Sequence, residues 1–173
     1  MQQLVKRSGL WQLLLAVCTL FVFNSCSDTD PYDPYANFDH AAQAAYEEEV
    51  IKAYLTQNNI TDFTRTASGL YYVKKEAGTG DKPTTGTKVT IGYIGRLIQG
   101  GQKFDSSYDR AKNLEFVIGN KEVIPGMDEG MTLMQEGEKA LLLIPSRLAY
   151  GLTGSGRIPP NAPIMFDVHL ISF

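Results

Sequence analysis

The chain has 173 residues, 43% of them hydrophobic and 20% charged, with a formal net charge of −3 at pH 7. This is the composition of one ordinary globular domain plus extensions, and an acidic balance without clustered Lys and Arg argues against a nucleic-acid partner. The only cysteines, Cys18 and Cys26, sit near the N-terminus, and the only histidines are His40 and His169; a disulfide framework and a thiolate metal site are excluded, and no metal cluster is expected.

Residues 1–25 read as a signal peptide. Lys6 and Arg7 form a positive start, and the apolar run from Leu10 to Phe23 is too short to span a bilayer comfortably. Asn24-Ser25-Cys26 resembles a bacterial lipobox, in which the signal is cleaved before a Cys that is then lipidated. Cys26 is therefore the expected lipid anchor. Phe23 and Asn24 depart from the usual pattern, and an ordinary secretory signal is the alternative. Residues 26–37, with Asp28, Asp30 and Asp33 among Pro31 and Pro34, have little to bury and read as an acidic, proline-stiffened tether.

Residues 38–60 predict a helix. Asp39 is placed to cap it, and Glu47, Glu48 and Glu49 are good helix formers. Ala42, Tyr46, Val50, Ala53 and Tyr54 form an apolar stripe, with Ile51 and Leu55 at its margin. Such a stripe serves its own domain or a second copy in a homodimer, and the residues leave both open.

From residue 61 to residue 173 the pattern is one of strands and turns, the last of the four expected segments. Gly69 to Lys75 is rich in aromatic and β-branched residues, and Ala77 to Gly86 is a Gly, Pro and Thr loop. Thr87 to Leu97 alternates, with Val89, Ile91, Tyr93 and Leu97 on one side and Lys88, Thr90, Ile94 and Arg96 on the other. Lys103 to Ser107 starts a return strand that runs into a polar loop, and Leu114 to Ile118 is a further short strand. Pro125 then opens a short helix with Asp128 and Glu129 near its N-terminus, Met127, Met131 and Met134 on one face, and Gly137 as the expected stop. Glu138 to Ile144 and Ile164 to Ser172 complete the strands. The expected fold class is α+β: an antiparallel sheet of five or six strands on one short helix, preceded by the N-terminal helix.

Six motifs stand in order: Gly92-Tyr93, Lys103-Phe104-Asp105-Ser106-Ser107, Glu122-Val123-Ile124-Pro125-Gly126, Ala149-Tyr150-Gly151, Ile158-Pro159-Pro160-Asn161-Ala162 and Phe166-Asp167-Val168. Together they resemble the FK506-binding-protein (FKBP) type of peptidyl-prolyl cis–trans isomerase. The resemblance implies a half-barrel sheet with an apolar pocket between its concave face and the helix. Matched motif by motif, it assigns the catalytic wall to Tyr93, Phe104, Asp105, Tyr150 and Phe166. Substrate contacts fall to Arg110, Leu114, Val123, Ile124, Met127 and Ile158. Met127 stands where many members carry a Trp, and Leu114 where an aromatic is common. No cofactor is implied. The implied partners are proline-containing unfolded or exported polypeptides, with rapamycin-type macrolides as competing ligands. The location implied by the N-terminus is the bacterial cell envelope, lipid-anchored to a membrane. A chaperone-like peptide-binding module on the same fold is the alternative.

Taken singly, each of these aromatics reads as core. A Ser106, His169 and Asp105 relay can be written down, but alternation turns His169 away from the face of Phe166, Val168 and Leu170. The same alternation places Leu141, Leu143, Ile94 and Ile171 on the outer face of the sheet, where the stripe of the N-terminal helix is the expected cover.

Overall fold

The computed structural model describes residues 37–173. The signal peptide expected over residues 1–25, the lipid anchor expected at Cys26 and all but the last residue of the expected tether lie outside the described residues. Residues Asp39 to Phe173 form one compact unit.

Helix α1, His40–Gln57, starts where its cap dictates. Asp39 Oδ1 accepts from the N–H groups of Ala41 at 3.0 Å and Ala42 at 2.9 Å. Its buried face differs from the expected stripe. Ile51 and Leu55 are buried with Glu47, while Tyr46 is 49% exposed and Ala42 and Ala53 face solvent. Val50 and Tyr54 are only partly buried. The cause is the i, i+4 pair Ile51 and Leu55, which brings the most apolar side chains down and carries Glu47 with them.

Seven strands make one sheet, against the five or six expected: β1 (Thr64–Arg65), β2 (Tyr71–Glu76), β3 (Lys88–Leu97), β4 (Lys103–Ser106), β5 (Leu114–Val117), β6 (Lys139–Ile144) and β7 (Ile164–Ser172). Their order is β1-β2-β6-β7-β3-β4, with β5 also paired to β3, and every pairing is antiparallel. The strand unforeseen in the sequence is β1, whose two exposed residues carry no alternation to read.

Helix α2, Pro125–Leu133, crosses the concave face. It lies close to β6 because Gly126 and Gly130 face it; a Cβ at either would overlap the side chains of Ile144 and Leu142. Met127, Met131 and Met134 are buried in the core beneath. The helix stops at Leu133, four residues short of Gly137. Met134 turns extended, and the following peptides bond elsewhere: Glu136 N–H to Asp81 O at 3.0 Å and Gly137 N–H to Leu170 O at 2.8 Å. Tertiary partners win over helix propensity here.

Alternation divides the sheet into two cores. Leu70, Ile91, Tyr93, Leu142, Phe166 and Val168 face α2. On the outer face Tyr71, Val73, Leu141, Leu143 and Met165 pack under Ile51 and Leu55 of α1. Leu141 and Leu143 are where alternation puts them, but Ile94 and Ile171 are not part of this cluster. Beside it Asp167 instead pairs with Lys75 at 2.6 Å and Arg96 at 2.9 Å.

Candidate active site

A cleft of about 350 Å3 opens between the concave face and the N-terminal end of α2. The strand period sets its walls. Tyr93 on β3 pairs with Val168, and Gly95 with Phe166, so Tyr93 and Phe166 stand side by side. Their rings meet edge to face, with centroids 5.6 Å apart. Phe104 extends the chain, 5.6 Å from Phe166 and 6.5 Å from Tyr150, both nearly perpendicular. Gly95 makes room for this: a Cβ there would come within 2.6 Å of the Phe104 ring and 2.7 Å of the Phe166 ring.

Met127, 3% exposed, lines the cleft from the first turn of α2. Val123 and Ile124 line it from the turn before that helix, and Leu114 from β5. Glu122, the first residue of the Glu122-Val123-Ile124-Pro125-Gly126 motif and not among the expected site residues, also lines it. Its place directly before Val123 was the available signal.

Three expected residues do not line this cleft. Phe104 reaches it through its edge-to-face contacts with Tyr150 and Phe166. Arg110 acts from outside through Asp105 and Tyr93. Ile158 is buried in the core cluster that also holds Tyr93, Met127 and Phe166, and its loop is closed by a Ser155–Ile158 bridge.

The polar edge is a closed triangle. Tyr93 donates its hydroxyl to Asp105 Oδ2 at 2.6 Å, Arg110 donates to the Tyr93 hydroxyl at 2.6 Å, and Arg110 also pairs directly with Asp105 Oδ1. The Ser106 N–H adds a third donor to Asp105 at 2.8 Å. Burial pushes the Asp105 carboxyl up, but these donors outweigh it and hold it below the usual carboxylate range. Burial, then Asp105, push the Tyr93 phenol up, and the same two causes raise Tyr150. Both tyrosines therefore keep their protons at neutral pH. Among the described residues the Tyr150 hydroxyl has no partner, so it is a free donor at an apolar cleft.

Among the described residues no Ser–His–Asp relay is assembled. His169 lines a different cleft, with Lys75, Glu76 and Lys139, on the outer face of the sheet. Ser106 is buried and its hydroxyl oxygen accepts from the Tyr108 N–H. Among the described residues no group of three His, Cys, Asp or Glu is placed to hold a metal ion.

An antiparallel half-barrel closed on a short helix, with an aromatic cleft between them, defines the FKBP-like class. Residues 80–171 match the model of the FKBP-type peptidyl-prolyl cis-trans isomerase family, and the chain belongs to that family. It is 46% identical over 107 residues to the FKBP-type isomerase FkpA of Aeromonas hydrophila, covering 62% of this chain and 39% of that protein. It is 48% identical over 90 residues to the peptidyl-prolyl cis-trans isomerase FKBP1A of Xenopus laevis, covering 51% of this chain and 82% of that one. The crystal structure of FkpA from Escherichia coli matches with a TM-score of 0.65 at 36% identity, over 76% of this chain and 61% of the other. The chain thus spans well under half the length of the Aeromonas relative.

Proposed function

We propose that the segment from about Thr66 to Phe173 is a peptidyl-prolyl isomerase that accelerates rotation about X–Pro bonds by non-covalent binding. The observation that carries this reading is the apolar cleft walled by Tyr93 and Phe166, with Met127 beneath and a free Tyr150 hydroxyl beside it. Rotation breaks no bond; it loses amide resonance against a barrier of about 18–20 kcal/mol. Uncatalysed, it takes roughly 10–100 s. A turnover of about 10 per second requires lowering the barrier by only about 4 kcal/mol.

A water-excluding cleft suffices for that. In the twisted state the proline nitrogen is pyramidal and the carbonyl less polar, so an apolar wall favours it over the planar, solvated amide. Tyr150 donates to a substrate carbonyl and holds the peptide. Asp105 and Arg110 hold the Tyr93 ring edge-on and exchange no proton with substrate. The substrates are proline-containing unfolded or exported chains. A rapamycin-type macrolide filling the same cleft would inhibit competitively in the same assay.

A protease-free assay on an Ala-Leu-Pro-Phe-type peptide tests the reading. Rates equal to the uncatalysed reaction with micromolar folded protein overturn it in favour of a peptide-binding module without catalysis. The reading of the N-terminus adds a location, an envelope membrane reached through lipid on Cys26. Cys26→Ser is expected to release the protein from the membrane fraction or leave the signal uncleaved; correctly cleaved, membrane-bound mutant protein rules the anchor out.

A further inference from the structure

The first half of α1 does something its apolar second half does not. Glu47 is 2% exposed, yet none of its partners is a cation. Its Oε2 accepts from the Ser146 N–H at 2.8 Å, and its Oε1 accepts from the Ser146 hydroxyl and from Gln43 Nε2, the latter at 2.6 Å. A buried carboxylate is costly unless donors satisfy it, and an apolar side chain would cover the same surface. What a carboxylate adds is a fixed position for the group it holds.

That group is the root of the Tyr150 loop. The Ser146 carbonyl accepts from the Ala149 N–H and the Gly151 N–H, both at 2.9 Å, so the residues on either side of Tyr150 hang on one residue. The bonds continue into a ring. Asn161 N–H donates to Gly151 O at 2.9 Å, and Gln43 Nε2 returns to Asn161 O at 3.1 Å. Gln43 and Glu47 therefore clamp both ends of the β6–β7 connection, Ser146 on one side of Tyr150 and Asn161 on the other.

We infer that Glu47 is a positioning residue for the cleft: acting through Ser146, it fixes the hydroxyl of Tyr150 where a substrate carbonyl arrives, making α1 a working part of the site as well as a cover for the sheet. The inference rests on the isomerase reading for its catalytic consequence, but the clamp itself is measurable without activity.

The test uses the full chain and two readouts. Native-state amide exchange compares the parent with Glu47→Leu. The amides of Ala149 and Gly151 are expected to exchange about tenfold or more faster in the variant, while β3 and β7 stay protected. Isomerase kinetics then form a cycle with Tyr150→Phe. Glu47→Leu alone is expected to lower kcat/KM about tenfold, and the double variant no further than the larger single loss. Glu47→Gln keeps an oxygen for the Ser146 N–H and is expected to retain most activity. Additive losses in the cycle overturn the inference, as does unchanged exchange at Ala149 and Gly151 or acceleration spread evenly over the whole sheet. If Glu47→Leu does not fold, Ser146→Ala takes its place; it removes the hydroxyl bond and keeps the N–H bond, so the same changes are expected at smaller size. A parent without isomerase activity sinks the proposed function, and exchange alone then decides whether the clamp exists.

Discussion

Tyr150 and Asp105 sit in one cleft but are asked to do different things, and substitution separates them. The Tyr150 hydroxyl has no partner among the described residues, so Tyr150→Phe removes one donor from the substrate and nothing from the fold. A hydrogen bond is worth about 0.5–1.5 kcal/mol net, so the expected loss in kcat/KM is about 3- to 10-fold with an unchanged melting temperature. Asp105→Leu frees Tyr93 and Arg110 from their triangle, but no essential proton moves, so a partial loss of similar size is expected. An all-or-none loss in a folded Asp105→Leu protein would contradict non-covalent catalysis. The pH profile follows from the same groups. Asp105 lies below its ordinary value of 3.8, and Tyr93 and Tyr150 lie above 10.0. None of them titrates between about pH 5 and 9, so kcat/KM should be flat across that range. A bell with an inflection near neutrality would point to a proton-transferring group that this cleft does not contain.

At the scale of elements, what was legible in the sequence is what repeats. Period two on β3 and β7 put Tyr93 and Phe166 on one face, and Pro125 with the Met spacing marked α2. Elements fixed by partners far along the chain were not legible. Glu47 opens an acidic run of three that reads as a solvated helix face, and only Ser146, 99 residues away, explains its burial. The outer core was half legible. Leu141 and Leu143 alternate cleanly, whereas Tyr71, Ile98 and Met165 join them only because α1 lies where it does. Ile158 reads as a wall of the cleft from its motif, and it is buried in the same core cluster as the cleft residues Tyr93, Met127 and Phe166. The α1 packing makes its own prediction. Ile51 and Leu55, 1% and 3% exposed, close the outer core, so Ile51→Ala or Leu55→Ala should each cost about 2–4 kcal/mol by chemical denaturation. Tyr46→Ala, on the exposed face, should cost under about 0.5 kcal/mol. Equal costs at all three positions would mean the helix is packed differently from the arrangement described.

For the whole molecule, charge matters more to stability than to catalysis, and its sign can be worked out. Glu48 links α1 to β1: it pairs with Lys52 at 2.8 Å and Arg65 at 2.7 Å, and these partners hold its carboxyl down at about 2. Asp105 is also held low, as are Glu76 by Lys139 and Glu115 by Lys88. A carboxylate depressed on folding contributes stability that is fully present above its unfolded value, here 3.8 for Asp and 4.5 for Glu, and lost as pH falls through the folded value. The melting temperature should therefore be level from neutrality to about pH 5 and fall below that as the unfolded chain takes up protons first. Solvent and salt screen these pairs, most of them at the surface, so the fall should be gradual and smaller in 1 M salt than in 0.05 M. Glu48→Gln removes the most depressed group. It should lower the melting temperature slightly at pH 7 and by a smaller amount at pH 2.5, where the folded group is only beginning to take up its proton, and so flatten the acid limb. A Glu48→Gln protein whose acid limb has the parent's slope would show that the ties of α1 to Arg65 carry no stability, leaving Ile51, Leu55 and the bonds of Glu47 to Ser146 and Gln43 to Asn161 to hold the helix on the sheet.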